Sequence, residues 1–102
     1  MGKPEAAVEA YLITRVKALG GEIRKAMWIG RRGAPDRFVM LLPTYCARQY
    51  WWQGRNPWVE CKALGEDLKD HQLREIERMR RFGETVLVLD SREAVDAAFP
   101  PP

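Results

Sequence analysis

Histidine occurs once in the 102 residues, at His71, and cysteine twice, at Cys46 and Cys61, with no C-x-x-C spacing. That inventory excludes a structural zinc site built from nitrogen and sulfur ligands. Two thiols do not make a disulfide framework either, and Cys61 reads as a small buried hydrophobe. No apolar run approaches the ~20 residues that cross a bilayer, so no membrane partner is expected. The opening Met1-Gly2-Lys3-Pro4-Glu5 lacks the basic-then-apolar organisation of a secretory signal. A cytoplasmic location, in a bacterium or a phage-infected host cell, is the expectation. The chain has no internal repeat and no low-complexity tract.

What is present fits one small domain. Hydrophobic residues make up 46% and charged residues 30%, enough apolar content for a single core and too short a chain for two. Residues 1–99 are expected to form that domain, with 100–102 as a proline tail. The net charge of +3 is unevenly placed. Residues 84–102 carry Glu84, Asp90, Glu93 and Asp96 against Arg92, so the rest of the chain holds the positive excess. Much of it lies in Arg24, Lys25, Arg31, Arg32, Arg37, Arg48 and Arg55, a distribution suited to a polyanion such as nucleic acid.

The pattern with the most chemical content is Gly33-Ala34-Pro35-Asp36, then 23 intervening residues, then Glu60-Cys61-Lys62 inside an apolar run. Pro35 restricts its own φ and biases Ala34 toward extended backbone, which steers the chain into a strand after Asp36. Strand side chains alternate, so Glu60 and Lys62 share one face and Cys61 takes the other. Two acids with an ammonium beside them match the needs of metal-dependent phosphodiester hydrolysis. Carboxylates hold a hard divalent cation, which polarises phosphate and activates water, and the lysine stabilises developing charge or orients that water.

The periodicities predict the order α-β-β-β-α-β-α, a small mixed sheet flanked by helices in the α/β (α+β) class. A helix is expected over 4–19, with Glu5 and Glu9 four residues apart on one face and Gly20-Gly21 as its stop. A strand over 22–29 would place Ile23, Met27 and Ile29 together. Strands over 37–42 and 58–63 carry the two halves of the motif. Asp67 is expected to cap a helix running to about Phe82, with Leu73, Ile76 and Met79 in its stripe. Gln72 shares that apolar face, which is costly unless its amide finds a partner. A buried strand over 85–90 and a helix over 92–98 capped by Ser91 complete the order. The aromatic-rich segment 43–57 suggests a hairpin excursion, with 48–53 in a strand, and Cys46 reads as irregular.

Taken together, Glu5/Glu9, Gly33-Ala34-Pro35-Asp36, Val59-Glu60-Cys61-Lys62 and Gln72 resemble the VRR-NUC domain, a branch of the PD-(D/E)xK nuclease superfamily, in its stand-alone phage and bacterial form. The Arg31-Arg32-Gly33 lead-in and the Val86–Ser91 run share the likeness, which covers nearly the whole chain; segment 43–57 departs from it. The resemblance implies a restriction-endonuclease-like core and an Mg²⁺- or Mn²⁺-dependent endodeoxyribonuclease. Asp36 and Glu60 would be the main metal ligands, with the Cys61 carbonyl oxygen and a helix acid, Glu9 in preference to Glu5. Lys62 would act in catalysis and Gln72 would support the site. Arg31, Arg32, Arg37, Lys25 and Arg55 would contact DNA. The resemblance also implies branched DNA, such as four-way junctions, as substrate.

A homodimer is expected on two grounds. Junction cleavage requires two sites on two strands. Trp51 and Trp52, adjacent in an extended segment, cannot both enter one core, and tryptophan is enriched in interface cores. Two other classes stay open: a non-catalytic DNA-binding module with a nuclease-like fold, and a protein-interaction subunit that uses the aromatic segment.

Overall fold

The computed structural model describes residues 4–47 and 55–101. Its elements are α1 (Pro4–Ala18), β1 (Glu22–Lys25), β2 (Arg37–Met40), α2 (Pro43–Cys46), β3 (Trp58–Cys61), α3 (Asp70–Arg81), β4 (Val86–Leu89) and α4 (Arg92–Ala98). The four strands form one sheet in the order β1-β2-β3-β4. The first two pairings are antiparallel and β3–β4 is parallel. A parallel pair needs a crossover connection, and α3 supplies it. The mixed sheet with flanking helices is the architecture expected from the periodicities, with one short helix added.

Alternation along the strands creates two cores. On one face Val39, Val59, Cys61, Leu87 and Leu89 pack with Val8, Leu12, Val16 and Leu19 of α1 and with Val95, Ala98 and Phe99 at the end of α4. The α1 residues recur every three or four positions, which gathers them on one side of the helix. Leu12, Val16, Val39, Val59, Val95 and Phe99 are wholly buried. Each such side chain contributes roughly 1.5–3 kcal/mol relative to exposure. On the other face Ile76 and Met79 of α3 cover Val86, with Trp28, Trp58, Leu68 and Val88 around them. Trp58 stacks obliquely between Trp28 and Phe38, at ring-centroid distances of 4.8 and 4.5 Å.

Several boundaries differ from the sequence reading. The first strand stops at Lys25 rather than 29, and Met27 and Ile29 are 91% and 99% exposed. Apolar alternation continues past the strand, but no layer of the described residues covers it there. The chain instead folds back, with the Ala26 N–H donating to the Asp36 carbonyl and Trp28 Nε1 donating to the Pro35 carbonyl. Segment 43–57 opens with helix α2 where a hairpin was expected. Cys46 is buried in it, near Asn56 Oδ1, which also accepts from the Leu41 N–H. The expected strand over 48–53, and Trp51 and Trp52 with it, lie outside the described residues. Helix α3 begins at Asp70 and is capped by Lys69 in place of Asp67. Leu73 is 42% exposed and stands outside the buried stripe of α3. Helix α4 matches its expected span, and Ser91 Oγ accepts from the Ala94 N–H. Pro100 belongs to the packed body, because its carbonyl accepts from the Tyr45 hydroxyl at 2.8 Å.

Candidate active site

Strand register brings the two halves of the motif together. The β2–β3 ladder pairs Arg37 with Val59 and Phe38 with Trp58. Continued by one residue, the same antiparallel register sets Asp36 opposite Glu60. Pro35 is buried, and Asp36 stands half-buried at the start of β2. Glu60 and Lys62 are 8% and 5% exposed, an unusual depth for charged side chains. Lys62 is held by the sheet, since its backbone N–H donates to the Leu89 carbonyl. Cys61, between them, faces the α1/α4 core as alternation requires.

The electrostatics identify these groups as one cluster. Burial raises the Glu60 carboxyl, the neighbouring Asp36 charge adds to that rise, Lys62 opposes it, and Glu5 and Glu9 contribute further repulsion. The result is a carboxyl pushed up to about 7. Burial likewise drives the Cys61 thiol up to about 12, with Glu9, Asp36 and Glu60 reinforcing it against Arg37. The first turns of α1 therefore lie near the β2–β3 junction, with Glu9 in contact with Arg37 of β2. Glu9 has a further partner: Arg37 Nη2 donates to its Oε2 at 3.1 Å. Arg37 Nε is buried without a hydrogen-bond partner among the described residues. Glu5 is exposed.

Among the described residues, no three His, Cys, Asp or Glu side chains converge as a preformed metal cluster. The donor set is still suited to a hard cation. Asp36 and Glu60 supply carboxylate oxygens, with Lys62 opposing the charge on Glu60, and two acids leave coordination positions free for water and phosphate.

No family model matches the chain. Over 89 residues it is 39% identical to "Putative nuclease p44" of Acyrthosiphon pisum secondary endosymbiont phage 1, covering 87% of this chain and 85% of that protein. A solved structure described as a VRR_NUC domain shares 37% identity at a TM-score of 0.76, covering 94% of each chain. The chain belongs to the VRR-NUC family. The family's nuclease fold is thus the fold of this chain.

The other expected site residues of this VRR-NUC chain take varied positions. Gln72 sits in the first turn of α3, where its Oε1 accepts from the Lys69 N–H at 2.9 Å. The partner its amide needed is the helix's own backbone, in a capping-box arrangement. Arg31 and Arg32 lie exposed in the turn before Gly33, and Lys25 is exposed at the end of β1. Arg37 is engaged with Glu9. Arg55 reaches the other end of α3, donating to the Gly83 carbonyl at 3.1 Å.

Gly33 joins the basic turn to α3. Its φ is +87°, and a Cβ there would lie 2.6 Å from the His71 carbonyl oxygen and 2.9 Å from Gln72 Cα. Only glycine permits both the left-handed backbone and the close approach. The contact also reveals what sequence reasoning missed. Glu75 of α3 is 8% exposed, with Arg31 and Arg78 at 3.8 and 3.6 Å from its Oε1. The available signal was the spacing of Arg74, Arg78 and Arg81 along the helix, which puts three cations on one side.

Proposed function

We propose that this protein is a metal-dependent, structure-selective DNA endonuclease that hydrolyses phosphodiester bonds in branched DNA such as four-way junctions, acting as a homodimer. The observation that carries the reading is the meeting of Asp36, Glu60 and Lys62 at the β2–β3 junction, with the Glu60 carboxyl raised to about 7 by burial and neighbouring acids. A buried concentration of negative charge is unfavourable for a purely structural surface and useful to a cation site.

In this reading Asp36, Glu60 and the Cys61 carbonyl hold Mg²⁺ or Mn²⁺, with Glu9 or Glu5 completing the acidic side. The cation supplies Lewis-acid polarisation of the phosphate and a more acidic bound water. Lys62 donates to the attacking water or to the phosphate oxygen that gains charge. Glu9 and Arg37 hold each other at the rim, so Arg37 positions the acid as well as offering charge to DNA. Gln72 keeps the first turn of α3 in place beside Gly33. Lys25, Arg31, Arg32 and Arg55 contact the phosphate backbone.

The test is to incubate the pure protein with labelled junction, flap and linear duplex DNA in Mg²⁺, Mn²⁺ or EDTA. Metal-dependent cleavage with preference for the junction supports the proposal. Metal-independent binding without cleavage favours the non-catalytic module. Neither cleavage nor binding points to the interaction subunit.

A further inference from the structure

We infer that the exposed side of α3 carries a second nucleic-acid contact, an arginine strip of Arg74, Arg78 and Arg81 that takes successive phosphates of the DNA strand passing the Asp36/Glu60 centre. The strip is distinct from the catalytic residues, and its ligand chemistry is the phosphodiester backbone. The inference rests on the endonuclease reading only for the direction in which the strand runs.

Helix geometry makes the strip. Positions 74, 78 and 81 follow the i, i+4, i+7 pattern, so at 100° per residue all three fall within a narrow arc, spread over about two turns. All three are exposed. Asp70 and Glu77 stand four residues before Arg74 and Arg81, the arrangement that favours acid–base pairing on a helix. Yet among the described residues neither Arg74 nor Arg81 forms an ion pair. Their guanidinium donors face solvent on a protein whose remaining acids were available to neutralise them.

Glu75 organises the start of the strip. Its buried carboxylate draws Arg31 from the basic turn and Arg78 from α3 toward one point, while both arginine side chains stay about half exposed, at 53% and 48%. A guanidinium has five donors, so an arginine touching Glu75 retains others for phosphate. The two elements border a concavity of about 190 Å³ lined by four arginines, Arg31, Arg32, Arg74 and Arg78, with His71 and the acid Glu75. A polar cleft with cations on both walls suits a phosphate group.

Continuity with the catalytic centre comes from two contacts. Gly33, three residues before Asp36, packs directly on His71 and Gln72. His71 in turn has its basicity lowered by desolvation and by Arg32, Lys69, Arg74 and Lys62, which places the catalytic lysine and the strip within electrostatic reach of one side chain. A polyanion at the centre therefore meets the arginines of the basic turn and then those of α3, with Glu75 held between Arg31 and Arg78.

The experiment measures DNA affinity of the full chain in EDTA, by fluorescence anisotropy, over a series of salt concentrations. Arg74→Ala/Arg78→Ala should flatten the slope of log affinity against log salt by about 1.8 on duplex DNA, since each lost phosphate contact removes about 0.9. Arg74→Ala alone, which disturbs no ion pair, should flatten it by about 0.9 and guards against a folding defect at Glu75. Arg92→Ala is the control, because Arg92 lies on α4 over the Tyr11 ring, 5.2 Å from its centroid. Its slope should equal the wild type's. An unchanged slope in the double variant, or an equal change in the Arg92 variant, overturns the strip. A wild-type protein that cleaves nothing in any metal, with the double variant still flattened, leaves the strip standing and removes the endonuclease reading.

Discussion

Replacing Glu60 with glutamine should stabilise the metal-free protein at pH 8 and leave its stability unchanged near pH 4. The substitution keeps the side chain's volume and removes its charge. In the folded protein the carboxyl is raised from 4.5 to about 7, by burial first and then by Asp36, Glu5 and Glu9 against Lys62. The folded state therefore binds more protons than the unfolded state between those two values. Stability from this group must then fall as pH rises through the window and stay level above it. At 1.36 kcal/mol per unit, ionising Glu60 costs the fold on the order of 3 kcal/mol at pH 8. Glutamine escapes that loss. Urea unfolding in EDTA at several pH values, with comparable m-values for both proteins, reads the difference directly. Mg²⁺ or Mn²⁺ added at pH 8 should restore stability to the wild type, by about 2.7 kcal/mol at a hundred times its Kd, and do little for the variant. Parallel pH profiles for the two proteins in EDTA would refute the reasoning, because Glu60 would then not carry the repulsion assigned to it.

Four further outcomes are expected. Asp36→Ala should remove metal-dependent cleavage while circular dichroism stays native, and a folded variant cleaving at the wild-type rate would displace this residue from the site. Lys62→Ala should reduce the rate at saturating DNA far more than it reduces affinity, since its ammonium acts in the transition state, and equal losses would argue for a binding role. Gly33→Ala should destabilise the protein by about 1–3 kcal/mol in thermal or urea unfolding, because an alanine must adopt a positive φ and meet the His71 carbonyl. Light scattering of metal-free, DNA-free protein should give a mass near twice the 11.8 kDa of one chain, and a single-chain mass would sink the homodimer.

Each half of the Asp36 and Glu60–Lys62 pattern was legible because it is local. Pro35 directs the backbone into β2 within two residues, and period-two alternation sorts Glu60 and Lys62 from Cys61 without reference to the rest of the fold. Helix α4 was legible for the same reason, its Ser91 cap acting on the Ala94 N–H three residues on. The first strand was overextended because alternation records which residues are apolar, not whether anything covers them. Met27 and Ile29 keep the period but sit beyond the sheet's covered area. The start of α3 was misplaced because both Asp67 and Lys69 could precede it, and the choice fell to Gln72, whose oxygen caps the Lys69 N–H.

While the helix α2 that opens segment 43–57 was read as a hairpin, the sequence by itself determined most of the element types, the two-faced strands and the VRR-NUC motif order. These follow from residue types at short separation, where sterics and periodicity act within a few bonds. Only the tertiary structure decided that Asp36 stands opposite Glu60, that Glu9 is tied to Arg37, and that Glu75 is a buried acid between arginines from a loop and a helix. Those relations depend on the β2–β3 register and on Gly33 seating the basic turn against α3. Both join residues more than twenty positions apart, and no local preference sets such a distance.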